Sequence, residues 1–124
     1  MAQYMLLIYD DPSVWQSMGE DELNAVYGEY DAYTKQLREA GAFVAGDALA
    51  STDTAKSVRL REGERLTTDG PFAETKEALG GYYLIEAETD EEALDWAAKI
   101  PSARYGTIEV RPIVVFSETV EASA

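Results

Sequence analysis

The first half of the chain alternates between strand-like and helix-like hydrophobic patterns. Residues 3–9 form a continuous apolar run, which is typical of a buried central strand. Apolar residues then recur at helical spacing from about Asp21 to Ala40, with Gly41 as a natural stop and with Ser17 and Glu20 resembling a capping box. Residues 42–50 predict a second strand, which a glycine interrupts with a bulge or kink.

The second half repeats this order after a hairpin. Residues 57–61 and 65–68 alternate at period two and predict a hairpin with a three-residue loop, Glu62-Gly63-Glu64. Residues 81–87 predict another strand, and a capping box beginning at Thr89 starts a helix that Pro101 ends. The last predicted strand covers residues 107–116, where Pro112 favours an edge or bulged position.

Two strand-helix-strand units around a hairpin predict a single α+β domain over residues 1–116. The expected fold is ferredoxin-like: an antiparallel sheet with both main helices on one face, followed by a frayed tail at residues 117–124. The strands are apolar at nearly every position, so the face without helices also needs cover. A homodimer that buries these faces against each other is the simplest expectation, and an internal cavity is the alternative.

Composition narrows the classes of function. Ten Lys and Arg against 24 Asp and Glu give a net charge of −14, which repels nucleic acid and anionic membrane surfaces. The absence of a membrane-length apolar run, a signal-peptide pattern and cysteine favours a cytoplasmic protein. The chain has no histidine, so an acid or base must be a carboxylate or a tyrosine, with lysine less favoured. A metal site would have only oxygen ligands and would suit Mg²⁺ or Ca²⁺, but no calcium-loop motif supports one and we expect no cofactor.

A polar loop between two predicted strands, residues 68–77, carries the densest candidate chemistry. Asp69 is either a catalytic acid/base or a carboxylate that shapes the turn by accepting backbone N–H bonds. Gly70 precedes a proline and allows backbone geometries closed to other residues. A short helical turn starting at Pro71 would offer backbone N–H groups to an anion.

Four further residues are candidates for a small-molecule site. Phe72 is either a core anchor for the loop or part of the ligand-binding surface, and Glu74 is the preferred second polar residue. Tyr30 shares a helical face with two other tyrosines, which serves either core and dimer packing or a pocket lined with phenols. Arg111 lies in a predicted strand, so it either pairs with an acid such as Asp69 or awaits an acidic ligand.

The central loop resembles the signature of the DGPF family, part of the YCII-related superfamily. The matching residues are 68–72, Glu74, Lys76, Glu77 and 79–82, with further similarity at residues 4–9, 97–101 and 105–112. This resemblance implies a ferredoxin-like fold that dimerises as an α+β barrel. It implies no established reaction, and some family members are encoded beside alternative sigma factors.

The resemblance has one departure, which leaves two classes of function. The YCII branch is thought to use a His–Asp pair, and Tyr30 falls about where that histidine would lie. In the first class, the protein is a cofactor-independent enzyme on a small organic molecule, with Asp69 as acid/base, Tyr30 as hydrogen-bond donor and Arg111 as clamp. In the second, it is a non-catalytic dimer that binds a small ligand or a partner in a regulatory setting.

Overall fold

A computed structural model describes residues 2–116 as a mixed α+β fold, and the predicted tail at 117–124 lies outside the described residues. The strands and helices follow the order that the sequence predicts, with a short helix before the first long one. The strands are β1 (Ala2–Asp10), β2 (Phe43–Ala48), β3 (Lys56–Arg61), β4 (Glu64–Asp69), β5 (Ala78–Ala87) and β6 (Thr107–Pro112). The helices are α1 (Pro12–Gln16), α2 (Glu20–Glu39) and α3 (Asp90–Ala98), with 3₁₀ turns at Thr52–Thr54 and Pro101–Arg104.

Four strands form an antiparallel sheet in the order β2-β5-β1-β6. The two central strands alternate, so that every second side chain enters the core with side chains of α2 and α3. The core side chains include Leu6, Ile8, Tyr33, Leu37, Ile85 and Ala97. Both long helices therefore contribute to the same core on one side of the sheet. None of the helices described is long and apolar enough to cross a membrane.

Glycine and threonine set two of the helix ends, as the sequence predicts. Gly41 has a φ of +73°, and the N–H groups of Gly41 and Ala42 donate to the carbonyls of Arg38 and Leu37 at the end of α2. The Thr89 side chain accepts from the Glu92 N–H at 3.1 Å and so caps α3. The predicted Ser17 capping box is wrong, because α2 begins after Gly19 without a side-chain cap and Ser17 ends α1 instead.

The hairpin, β3 with β4, forms as predicted but stands apart from the four-stranded sheet. Its loop is shorter than expected: Arg61 pairs with Glu64, which leaves a two-residue turn at Glu62 and Gly63. Both turn residues have positive φ, +52° and +79°, the geometry that matches the twist of paired strands. The hairpin takes part only in its own two-stranded sheet, so it adds no strand to the main one.

The face of the sheet opposite the helices carries a second set of apolar side chains. Met5, Leu7 and Leu84 lie on this open face and are half-buried within the chain. β6 is an edge strand that ends at Pro112, in agreement with the predicted position of that proline.

Candidate functional site

A pocket of about 720 Å³ opens beside the ends of the two central strands. Its walls come from β1, α1, α2, β2, the segment that follows β2, and the start of β5. Aromatic and aliphatic side chains supply much of the lining, among them Trp15, Leu23, Tyr27, Tyr30 and Leu49. A small organic molecule with an apolar body fits a pocket of this size and composition.

Asp10 is the buried acid of the pocket. It is the last residue of β1 and continues the buried register of Leu6 and Ile8, which leaves its side chain only 8% exposed. Trp15 Nε1 donates to Asp10 Oδ2 at 2.7 Å, and the Ser102 side chain lies near the carboxylate. Burial raises the pKa of the Asp10 carboxyl, and the Trp15 and Ser102 side chains oppose that rise without cancelling it.

Ser102 connects this acid to a tyrosine of α2. The Tyr30 hydroxyl lies 2.5 Å from Ser102 Oγ, and Ser102 is fully buried in the 3₁₀ turn that precedes β6. A serine hydroxyl has one proton, so if it donates to Asp10 then Tyr30 must donate to the serine. Burial raises the pKa of the Tyr30 phenol, so Tyr30 is suited to donating a hydrogen bond and not to acting as a base.

Charged side chains lie around the outer part of the pocket. Asp31, Asp47 and Arg38 line it, and all three are exposed. The Tyr82 hydroxyl donates to Asp47 Oδ2 at 2.7 Å, while the Arg38 guanidinium lies 4.1 Å from the centre of the Phe43 ring. The pocket therefore combines a buried acid inside with charged groups of both signs near solvent.

Gly80 leaves space beside the acid. A Cβ atom at Gly80 would lie 3.4 Å from Asp10 Oδ1, in van der Waals contact. The neighbouring Gly81 allows a close backbone approach, since a Cβ there would lie 3.0 Å from the carbonyl oxygen of Asp47. The glycine pair therefore allows close approach near the start of β5.

Asp69, the predicted acid/base, lies outside the pocket lining. Its side chain is 87% exposed at the end of β4, and its Oδ1 accepts from Lys56 Nζ at 2.7 Å. Gly70 follows with a φ of +94°, a conformation that favours glycine. Its N–H donates to the Ala55 carbonyl at 2.7 Å and its carbonyl accepts from the Ser57 hydroxyl, so the backbone closes the base of the hairpin. A catalytic role for Asp69 stays a prediction.

The other predicted site residues are exposed, with one exception. Tyr30 lines the pocket, which favours the interpretation of its helical face as a phenol-lined wall, while Tyr33 packs in the core. Phe72 is 81% exposed, so its predicted role as a core anchor is wrong within this chain. Glu74 is also exposed, and the predicted helical turn from Pro71 is absent because residues 71–74 form only a bend.

Arg111 lies on the open face of the sheet, opposite Met5 in the register of β6 with β1. Its side chain is exposed, so the argument that a buried arginine needs an anion does not apply to it. Within residues 2–116, the ion pairs are Lys56–Asp69 and Arg104–Glu29, and neither involves Arg111. The predicted pairing of Arg111 with Asp69 is therefore wrong.

Sequence reasoning missed Asp10, Trp15 and Ser102. Asp10 begins a run, residues 10–13, whose composition is typical of a turn and so conceals a buried acid. A signal was present in the alternation of β1, because Asp10 continues the even-numbered positions that its strand buries. Ser102 carried no such signal, since its contact with Tyr30 joins residues 72 positions apart. Among the residues described, no group of three or more His, Cys, Asp or Glu is placed to hold a metal ion.

Comparison with known proteins agrees with the resemblance found in the central loop. The family model described as the YCII-related domain matches residues 2–117. An uncharacterized protein of Rhizobium meliloti (strain 1021) is 37% identical over 115 residues, covering 91% of this chain and 93% of that protein. The buried acid and its pocket thus lie inside a domain shared over nearly the whole chain, and the chain belongs to the YCII-related family.

Proposed function

We propose that this protein is a cofactor-independent enzyme that acts on a small organic molecule in the pocket, with Asp10 as its general acid. The observation that carries the proposal is the buried Asp10 carboxyl, which lines the pocket, is held by Trp15 and Ser102, and has a raised pKa. A carboxyl in such a setting keeps its proton at higher pH than an exposed one. Perturbed carboxyls that line clefts are common among catalytic groups.

Each neighbour of Asp10 has a distinct part in the proposed step. Asp10 gives its proton to an oxygen or nitrogen of the substrate as the bond to that atom breaks. A water molecule then adds to the remaining fragment and returns a proton to Asp10, so that the step is a hydrolysis. The Trp15 N–H and the Ser102 hydroxyl stabilise the carboxylate that forms, and Tyr30 orients the serine. The aromatic wall holds the apolar part of the substrate, and Gly80 leaves it space beside the acid.

Asp10 takes the place of Asp69 in this proposal for a geometric reason. A general acid must reach the substrate directly or through one water molecule, and only Asp10 of the two lines the pocket. The same reasoning makes Arg38, which lines the pocket, a better candidate than Arg111 for contact with a charged group of the substrate.

The proposal includes an assembly. We propose that the chain has the ferredoxin-like arrangement, acts in the cytoplasm, and pairs through its open sheet face as a dimeric α+β barrel. The strand order β2-β5-β1-β6 with both long helices packed in one core supports the first part. Half-buried Met5, Leu7 and Leu84 on the opposite face support the pairing, because a second copy would remove them from water.

A non-catalytic ligand-binding dimer is the second candidate. One observation favours it: the Asp10 carboxylate already accepts a hydrogen bond from Trp15 Nε1, as a structural buried acid would. In that case the pocket holds a small molecule without changing it, in a regulatory setting such as that of relatives encoded beside sigma factors.

Incubation with a metabolite extract, followed by mass spectrometry, tests the proposal and separates the two candidates. The wild type and Asp69→Asn are expected to deplete the same compound, while the isosteric Asp10→Asn leaves it unchanged. A compound that binds the wild type and is recovered intact would favour the non-catalytic dimer. Depletion by Asp10→Asn but not by Asp69→Asn would contradict the choice of acid.

A further inference from the structure

The hairpin of β3 and β4 is the least covered part of the described chain. Every residue from Val58 to Asp69 is exposed, and none belongs to the hydrophobic core. An isolated two-stranded hairpin is marginally stable in water, because it buries too little apolar surface to offset the ordering of its backbone. A hairpin of this kind needs a surface to pack against.

Apolar side chains are present on the hairpin without a core to enter. Val58 and Leu60 are 60% and 67% exposed. They alternate along β3 and so share one face, together with Thr67 and Arg65, which lie opposite them on β4. β-Branched and aliphatic residues at such positions are typical of a strand face that is packed.

The charge of the hairpin differs from that of the rest of the chain. Residues 56–69 contain four Lys or Arg and three Asp or Glu, a net charge of +1. The whole chain has a net charge of −14, which leaves −15 on the remaining residues. A second copy of this chain therefore offers a strongly acidic surface to the hairpin, and Arg65 lies on the hairpin face that carries Val58 and Leu60.

We propose that the hairpin is an arm that docks on a second copy of this chain, with Val58 and Leu60 buried in the contact and Arg65, which shares their face, next to carboxylates of the partner. This inference rests on the homodimer of the proposed function and assigns it a second contact besides the open sheet face. In a symmetric pair, each copy gives one arm and receives one. The arm follows directly from residues 49–52, which line the pocket, so docking would also fix that wall.

Sedimentation velocity over a range of protein concentrations tests the arm with matched variants. The double variant Val58→Ser/Leu60→Ser is expected to raise the dimer dissociation constant at least tenfold. Arg65→Glu, on the same face, is expected to raise the constant as well, with the wild-type dimer weakening as salt increases. Leu94→Ser and Lys35→Glu, exposed substitutions on α3 and α2, are the apolar and charge controls and should leave the constant unchanged.

Hydrogen exchange gives a second readout that does not depend on the size of the dimer constant. The amides of residues 57–69 should exchange more slowly as the concentration of wild type rises, and should lose this dependence in Val58→Ser/Leu60→Ser. Circular dichroism should show that all variants keep the fold, since the changed residues are exposed. A wild-type dimer unaffected by the hairpin variants would overturn the arm alone, whereas a monomeric wild type would overturn the homodimer as well.

Discussion

Two aspartates of this protein have the same local setting in the sequence and opposite settings in the fold. Asp10 ends β1 and Asp69 ends β4, and each is followed two positions later by a proline. Asp10 is buried against Trp15 and Ser102, while Asp69 is exposed and paired with Lys56. The difference follows from the two strands. β1 is central in the sheet that packs against α2 and α3, whereas β4 belongs to a hairpin outside that core.

The comparison shows that a conspicuous motif and a chemically perturbed group need not coincide. The Asp-Gly-Pro-Phe loop has the more distinctive sequence, but the described contacts of Asp69 and Gly70 act on the base of the hairpin. The pKa of Asp10 is raised because its strand places it away from water. Substitutions that affect the two regions unequally can test this contrast.

The largest expected effect comes from truncating the buried aspartate. Asp10→Ala removes the acceptor of the Trp15 Nε1–H and should lower the free energy of unfolding by about 1–3 kcal/mol. Asp69→Ala should leave it almost unchanged, because exposed ion pairs contribute little. Urea unfolding of both variants measures the two changes in the free energy of unfolding. Equal changes would contradict the contrast between the two aspartates.

Gly70→Ala tests whether the central loop is constrained by its backbone. Its φ of +94° is unfavourable for alanine, so the free energy of unfolding should fall by about 1–2 kcal/mol. Gly28→Ala is the control, since it lies in α2 with no atom near its Cβ position and should gain up to about 1 kcal/mol. Thermal unfolding compares the stabilities of the two variants. A Gly70→Ala variant as stable as the wild type would show that the loop relaxes to accommodate alanine.

Tyr30→Phe tests the hydrogen-bonded chain beside Asp10. Loss of the hydroxyl that lies 2.5 Å from Ser102 Oγ should lower the free energy of unfolding by about 0.5–1.5 kcal/mol. Tyr27→Phe, on the same helix and more exposed, should have no effect. A double-mutant cycle with Ser102→Ala isolates the contact. Additive effects would mean that the two hydroxyls do not act together.

The pH dependence of stability provides the smallest and most specific signal. Since the folded-state pKa of Asp10 is raised, its contribution is fully present below the unfolded-state pKa, about 3.9, and is lost as the pH rises through the folded-state pKa. The wild type should therefore lose stability relative to Asp10→Asn as the pH rises through this window. Denaturant unfolding of the wild type and Asp10→Asn at a series of pH values measures the difference. The opposite slope for Asp10 would mean that its hydrogen bonds outweigh its burial.

The strands and helices of this fold could be predicted because their signals are local. The apolar run at residues 3–9, the stop at Gly41 and the cap at Thr89 each depend on neighbours in sequence. The site depends on contacts between residues that are distant in the sequence, because Tyr30 contacts Ser102 across 72 positions. The sequence indicates Tyr30 as a candidate site residue but does not indicate its partner. The separation of the hairpin from the main sheet is also non-local, since its alternating pattern suits either arrangement.

The contact between Trp15 and Asp10 supplies an optical reporter of the pocket. The indole N–H donates to the carboxylate at 2.7 Å, so a change in charge at Asp10, or a molecule that displaces water beside it, acts directly on a fluorophore. The other tryptophan, Trp96, packs edge-on against Tyr33 with the Lys99 ammonium 4.9 Å from the centre of its ring. Trp96→Phe would leave Trp15 as the single tryptophan. The emission maximum of that variant, followed against pH or added compound, would make the protein its own assay before any substrate is known.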